Sequence, residues 1–288
     1  MISTTGCGGQ DPTPTPLIPA TPIPTSTAGD PVPASPTVSP PAITVNGEEI
    51  SIEIYQAHVN RFEAALQQLG TNLATTTDSR TVADDLINRQ LLSQAAREAG
   101  YEASEELVDQ RLSELMEEIG GAEVLVTWMQ NNFYTPESLR TELALEMEAA
   151  WMRDSILAEV PASAEQVLAR QVLFFTAFEA ERIYVQLENG AAFDTIVANN
   201  DPGETGYLGW FPRGYLLDPE LEQAAFEMQP GEYSTIIETR HGFHILQVMD
   251  FDPDRPLSPD ALLRLQNAYL LEWLGSAREQ GQIEILVS

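Results

Sequence analysis

The sequence predicts an α+β protein in which a small antiparallel sheet, with helices packed on it, is attached to a mostly helical domain. Three observations predict this architecture. Apolar residues recur at spacings of three and four through most of residues 43–160, which is typical of amphipathic helices. Over residues 164–252, strand-like and helical segments alternate in the order β, α, α, β, α, β, β, which favours helices packed on a small sheet. A Pro/Thr-rich segment, residues 8–42, precedes both regions.

The Pro/Thr-rich segment is predicted to be a tether. Prolines alternate with threonines in runs such as residues 12–16, a composition that favours an extended chain without a core. We therefore expect residues 1–42 to be disordered. Cys7, which is flanked by small residues, resembles a bacterial lipoprotein attachment site. A lipid there would hold the protein outside the cytoplasm, on the outer face of the cytoplasmic membrane; the alternative is an unmodified cysteine.

The charge and the cysteine count exclude several classes of function. The chain has 44 acidic and 14 basic residues, all of the latter arginine, for a formal net charge of -30. Such a field repels phosphate backbones and anionic lipid, so we expect no nucleic acid partner and no membrane contact except through Cys7. A single cysteine cannot form a disulfide within the chain, and no spacing typical of a metal site stands out. No metal or cofactor is expected.

The helical domain is predicted to begin with a hairpin over residues 43–50, because Asn46-Gly47 is a favoured two-residue turn. Ser51 is a candidate cap for the first helix, on whose apolar face His58 lies; we interpret His58 as structural. Thr135 followed by Pro136 is a helix-start signal. Together with the apolar spacing of three and four, these signals predict helices near residues 51–69, 81–99, 104–119, 122–131 and 135–160.

The α+β region, residues 164–252, is punctuated by glycine-rich turns. After it, a helix beginning at Ser258 and a closing strand over residues 283–287 are expected to complete the helical domain. Strands are expected over residues 167–174, 233–238 and 243–248, a further strand within the glycine-punctuated stretch 201–214, and short helices over residues 177–187, 192–197 and 219–228.

Residues 165–252 resemble the parvulin family of peptidyl-prolyl isomerases. The resemblance is carried by four segments in the family's order, which are Leu208-Gly209-Trp210-Phe211-Pro212-Arg213-Gly214, Glu222-Gln223-Ala224-Ala225-Phe226, Pro230-Gly231-Glu232 and Gly242-Phe243-His244-Ile245. Val45-Asn46-Gly47-Glu48, the helix pattern and the domain order resemble the chaperone arms of exported SurA- and PrsA-type foldases. The domain limits are therefore expected at 1–42 for the tether, 43–163 plus 257–288 for the helical chaperone domain and 164–252 for the parvulin-like domain.

The resemblance implies a site for rotating the peptide bond before proline, without bond breaking and without a cofactor. That bond turns over a barrier of roughly 20 kcal/mol, which falls if the twisted amide is bound more tightly than the planar one. Candidate catalytic residues by the resemblance are His244, Asp201, Gln171 and Thr239. Candidate substrate-binding residues are Leu208, Leu217, Leu221, Phe226 and His241. The partners implied are unfolded or partly folded polypeptides with X-Pro bonds.

Several alternatives stay open at this stage. Gln171 stands where the family commonly has histidine, Tyr207 replaces a usual aspartate, and Leu216-Leu217 carries one extra residue. The first hypothesis is an isomerase that assists the folding of exported proteins. The second is a holdase chaperone whose parvulin-like domain has lost most activity, and a surface lipoprotein with an adhesive role ranks third. Asp201 is also an ordinary turn residue, and the apolar site candidates are also ordinary core residues.

Overall fold

The computed structural model describes residues 39–68, 75–200 and 206–287. Cys7 and Asp201 lie outside these ranges. Within them, no helix is long and apolar enough to cross a membrane. The helices are α1 Ile52–Gln68, α2 Thr75–Glu98, α3 Glu105–Ile119, α4 Ala122–Asn131, α5 Pro136–Ala158, α6 Ala177–Glu188, α7 Phe193–Asn200, α8 Pro219–Glu227 and α9 Pro259–Gln280. The strands are β1 Pro41–Val45, β2 Glu48–Ser51, β3 Ser163–Phe174, β4 Tyr207–Pro212, β5 Ile237–Thr239, β6 Gly242–Pro256 and β7 Ile283–Ile285.

The first sheet, ordered β2-β1-β7, joins two distant parts of the chain. β1 and β2 form the predicted hairpin, in which Asn46 and Gly47 have φ angles of 53° and 84°. Both turn residues are therefore left-handed, as a tight two-residue hairpin of this twist requires. The predicted closing strand is confirmed as β7, which pairs antiparallel with β1 so that Ile43 faces Ile285.

Two apolar clusters near this sheet hold α9 in place. One cluster gathers side chains of β1, β2, α1 and α2, with Ala277 of α9 packed against it. The other brings together α2, α5 and α9 through Leu92, Ala149, Ile156 and Leu274. His58, interpreted as structural from sequence, is buried in α1, where its Nε2 lies 2.8 Å from Glu142 Oε2 of α5.

The second sheet is antiparallel and ordered β4-β3-β6-β5. α6 and α7 pack on one face through a cluster that includes Val172, Ile183 and Ile245. The other face carries Phe211 and Leu246, against which Ala225 of α8 packs. The two small sheets and their helices confirm the predicted α+β class.

Two strands of the second sheet are longer than the sequence indicates. β3 begins at Ser163, and β6 continues to Pro256, because the two strands pair from Ser163 opposite Pro256 to Phe174 opposite Phe243. At the far end of this ladder, Gln166 Nε2 donates to the carbonyl oxygen of Arg255 at 2.8 Å. A polar side chain buried at this position is thereby satisfied, although its segment lacks a strand-like apolar pattern.

The strand expected over residues 233–238 is mostly wrong, since β5 covers only Ile237–Thr239. Ser234 provides the physical reason. Its hydroxyl accepts the backbone N–H of Leu246 at 2.9 Å, while its own N–H donates to the carbonyl oxygen of Leu246 at 2.8 Å. A side chain thus replaces part of the strand ladder, which is the competition that serine hydroxyls offer to regular structure.

Candidate functional site

His244 lies on β6, on the face of the sheet that α8 covers, and is 2% exposed. The neighbouring strands set its surroundings. Leu173 of β3 and Ile237 of β5 lie directly opposite it, and Gln171 lies opposite Leu246, two residues further along β6. Because residues two apart in a strand share a face, Gln171, Leu246 and His244 point to the same side.

A chain of hydrogen bonds holds the imidazole of His244 at both ring nitrogens. Gln171 Oε1 lies 2.7 Å from Nδ1 and can only accept, so Nδ1 carries the proton. Nε2 of the neutral ring then accepts the hydroxyl proton of Thr239, whose Oγ1 is 2.9 Å away. Oγ1 also accepts the backbone N–H of His241 at 3.0 Å. Of the sequence-derived candidates, the structure therefore brings Gln171, Thr239, His241 and His244 together.

Burial sets the protonation of this imidazole. Desolvation lowers the pKa of His244 below 6.5, Asp218 opposes that effect through its negative charge, and His241 reinforces it. His244 is therefore neutral at neutral pH. Since both ring nitrogens are occupied, the imidazole can hold Gln171 and Thr239 in place, and it has no nitrogen left to bind a substrate amide.

The lowered pKa of His244 predicts a pH dependence of stability. Below pH 6.5 the unfolded chain binds a proton at this histidine that the folded chain does not. The free energy of unfolding must then fall as the pH falls, by at most about 1.4 kcal/mol per pH unit from this group. Denaturant unfolding from pH 7.5 to 5.5, compared with His244→Phe, measures the difference. Parallel curves for the two proteins would contradict the prediction.

Asp218 joins this group, although the sequence analysis did not single it out. Its Oδ2 lies 2.9 Å from Nδ1 of His241. Asp218 precedes Pro219 at the start of α8, and an aspartate before proline is an ordinary helix-start pattern. The Asp-Pro pattern therefore marks the start of α8 correctly. It gives no information about the contact between the carboxylate and His241, which is 23 residues away in the chain.

The apolar candidates differ in burial and packing. Leu208 and Phe226 pack against the core that includes Phe211 and Leu246, and Leu221 of α8 is buried. Leu217 is 65% exposed, and its neighbour Leu216 packs against that core instead. The extra residue noted in this segment thus leaves Leu216 on the core and Leu217 in solvent.

Glu222 of α8 fixes the loop that carries these leucines. Its carboxylate accepts three backbone N–H groups, from Gly214 at 2.7 Å, Tyr215 at 3.0 Å and Leu216 at 3.2 Å. Hydrogen bonds to a charged acceptor are among the stronger ones in proteins. The loop between β4 and α8 is thereby tied to the first turns of α8.

Replacing Glu222 with alanine should destabilise the protein by about 2 kcal/mol, because three backbone donors lose a charged acceptor. Glu220→Ala, an exposed acid in the same helix, is the matched control and should change stability by less than about 0.5 kcal/mol. Denaturant unfolding measures both. Equal stability of the two variants would show that the carboxylate does not hold the loop.

Among the residues that the structure describes, no group of three or more His, Cys, Asp or Glu side chains is arranged to hold a metal ion. Asp201, the remaining catalytic candidate, lies outside the described residues. The groups that the structure describes at this site are a neutral imidazole, a hydroxyl and a carboxamide, on the sheet face that carries Phe211 and Leu246.

Comparison with protein families matches residues 174–250 to the PPIC-type PPIase domain and residues 34–133 to the SurA-like N-terminal domain. Residues 174–250 are a parvulin-type PPIase domain. The resemblance drawn from the sequence is confirmed, as is that of the helical part to SurA-like chaperones. The matched stretch of the parvulin domain contains Thr239, His241 and His244, whereas Gln171 precedes it.

Individual relatives are distant. The foldase protein PrsA of Oceanobacillus iheyensis is 26% identical over 175 residues, which cover 56% of this chain and 58% of that protein. The foldase protein PrsA of Caldanaerobacter subterraneus subsp. tengcongensis is 26% identical over 235 residues, covering 70% and 71%. A crystal structure of peptidylprolyl isomerase PrsA from Bacillus cereus is 18% identical, with a TM-score of 0.45 and coverage of 84% and 86%. The first of these matches spans less than two thirds of its relative's length.

Proposed function

We propose that this protein is a peptidyl-prolyl cis-trans isomerase that assists the folding of exported polypeptides. The observation that carries the proposal is the buried, neutral imidazole of His244, held between Gln171 and Thr239 on the sheet face that also carries the cluster against which Leu208 and Phe226 pack. An X-Pro bond can be isomerised by binding alone, because the twisted amide needs no bond to break. The apolar side chains would hold the proline ring, and fixed polar groups would meet the turning amide dipole.

Glutamine at position 171 is compatible with this mechanism. The reaction has no obligatory proton transfer, so the group opposite Nδ1 of His244 need only accept a hydrogen bond. Gln171 Oε1 does so at 2.7 Å. Glutamine in place of the family's histidine is therefore no obstacle to the proposed mechanism. The substrate polypeptide needs to supply only an X-Pro bond and the chain on either side of it.

The proposed setting is extracytoplasmic, with the Pro/Thr-rich segment before β1 as a tether and Cys7 as a lipid attachment site. The expected limit at residue 42 is wrong by two residues, because β1 begins at Pro41 and Ala42 is fully buried in the core. With that correction, the expected domain limits, 43–163 plus 257–288 and 164–252, are part of the same proposal. Packing of Leu274 of α9 against Leu92 of α2 supports assigning the last segment to the helical domain. The relatives named foldase and chaperone support unfolded polypeptides as partners, and the acidic charge disfavours nucleic acid.

The isomerase proposal is tested by the cis-to-trans rate of short X-Pro peptides, measured by exchange NMR with several residues X. We expect acceleration that is proportional to protein concentration. A chain that is folded by circular dichroism and accelerates none of the peptides would remove the isomerase proposal.

A holdase role is the second candidate, and one observation favours it. The region around α4 exposes the large apolar side chains of Val124, Val126, Trp128 and Phe133. Val124 and Trp128 are one turn apart on α4 and therefore share a face. Contiguous exposed apolar side chains are typical of surfaces that bind other polypeptides. If the holdase acts separately from the isomerase, the His244→Ala variant should still suppress the aggregation of an unfolded client, and Trp128→Ser with Phe133→Ser should not.

A further inference from the structure

The carboxylate of Asp218, the residue just before α8, contacts the turn between β5 and β6. Asp218 is only 12% exposed at its side chain, a low value for an acidic residue. Its Oδ2 and Oδ1 lie 2.9 Å and 3.2 Å from Nδ1 of His241. Nε of Arg240, the preceding residue, lies 3.8 Å from Oδ1.

Asp218 does not use this carboxylate to cap its own helix. An aspartate at a helix N-cap usually accepts a backbone N–H of the first turn with its side chain. Here the side chain makes no such bond. The backbone carbonyl oxygen of Asp218 accepts the N–H of Leu221 at 3.1 Å instead. The carboxylate is thus committed to a turn that is distant in sequence, and helix capping does not explain its position.

The contacts of Asp218 continue into the imidazole of His244. The ring of His241 is hydrogen-bonded to the carboxylate of Asp218. The backbone N–H of His241 donates to Thr239 Oγ1 at 3.0 Å. Thr239 in turn donates to Nε2 of His244 at 2.9 Å. We propose that Asp218 is a positioning residue of the isomerase site, which holds the β5–β6 turn so that the hydroxyl of Thr239 stays directed at His244. The inference rests on the proposed function and adds a residue to it.

The same contact fixes the distance between the two halves of the site. α8 carries Leu221 and Phe226, which are the candidate proline-binding side chains, whereas the β5–β6 turn carries Thr239 and leads to His244. Without Asp218, the start of α8 and this turn would lose the ion-pair contact that joins them.

The charge of Asp218 gives an independent readout of this arrangement. Polar and charged groups facing His244 are Gln171 and Thr239 by hydrogen bonds and Asp218 and His241 through their charges. Because the negative charge of Asp218 raises the pKa of His244, removing it should lower that pKa further. This pKa shift reports that the carboxylate lies near the imidazole, whereas the bond from Thr239 to Nε2 of His244 reports the positioning.

The test compares Asp218→Asn, Asp218→Ala and the control Glu220→Gln, each made in the 288-residue chain. Glu220 is an exposed acid two residues after Asp218. Asparagine keeps an oxygen that accepts from His241 Nδ1–H, so its activity should stay within about threefold of the parent protein, while alanine should reduce kcat/KM for an X-Pro peptide by about tenfold. NMR titration of the ring nitrogens is practical because the chain has 3 histidines. Both Asp218 variants should lower the pKa of His244, and only alanine should change the Nε2 shift that reports the bond to Thr239.

The two readouts separate the inference from the function on which it rests. If the parent protein does not accelerate isomerisation, the proposed function fails, and the ring shifts of His244 still decide whether Asp218 positions Thr239. An Asp218→Ala variant with the activity and the Nε2 shift of Glu220→Gln would overturn the inference, whatever its His244 pKa.

Discussion

Replacing His244 with alanine should reduce kcat/KM for X-Pro peptides by at least about tenfold. The imidazole joins Gln171 on β3 to Thr239 on β5, and alanine would leave the carboxamide and the hydroxyl without their common partner. Side chains that must meet a twisted amide in one geometry would then sample several. Exchange NMR on a short X-Pro peptide measures the loss, at a temperature where both proteins are folded.

His58→Ala is the matched control for this variant. His58 is also buried and also contacts a side chain, Glu142, but it lies between α1 and α5 in the helical part. Both variants lose a buried imidazole and its hydrogen bond, so both should lose stability. Only His244→Ala should lose activity; equal activity losses at equal folded fractions would show that the effect comes from stability and not from the site.

Replacing Gly242 with alanine should destabilise the protein by about 3 kcal/mol or more, since it combines strain with a backbone clash. Gly242 begins β6 with a φ angle of 142°, where side chains are rarely tolerated. An added Cβ would lie 2.4 Å from the carbonyl oxygen of Phe174 on the neighbouring strand and 2.9 Å from Cδ1 of Leu173. Relief requires β6 to move away from β3 two residues before His244.

Gly231→Ala separates the clash from the strain. Gly231 also has a positive φ angle, 95°, but an added Cβ there meets nothing within 4 Å. Its replacement should therefore cost about 1 kcal/mol, from backbone strain alone. Denaturant unfolding compares the two variants, and a Gly242→Ala protein no less stable than Gly231→Ala would mean that β3 and β6 yield easily at this end.

Features set by neighbouring residues were predictable from the sequence. Asn46-Gly47 predicted the hairpin turn, and Ser104 and Thr135 mark helix starts where their side chains accept backbone N–H groups. Each of these signals acts within four residues of chain, so its physical cause is visible in the sequence. The family motifs likewise gave Gln171, Thr239 and His244, which the structure joins by hydrogen bonds.

Features set by distant contacts were not predictable in the same way. The sequence around Ser234 predicts a strand, and only the contact of its hydroxyl with the backbone N–H of Leu246 explains why a regular strand does not form there. Leu216 and Leu217 are equivalent in sequence. Glu222 accepts the backbone N–H of Leu216, and Leu216 is the one that packs on the core. Asp218 belongs to the same class, because its partner His241 lies on another element.

The pairing of β7 with β1 has a consequence for the order of folding during synthesis. Because Ile43 pairs with Ile285, the first sheet cannot be completed until nearly all of the described chain has emerged from the ribosome. The second sheet lies within one contiguous segment, from Ser163 to Pro256, and needs no strand from outside it. We therefore expect the second sheet to form first. The β1–β2 hairpin, residues 41–51, would pair with β7 later, because that pairing closes a loop of more than 200 residues.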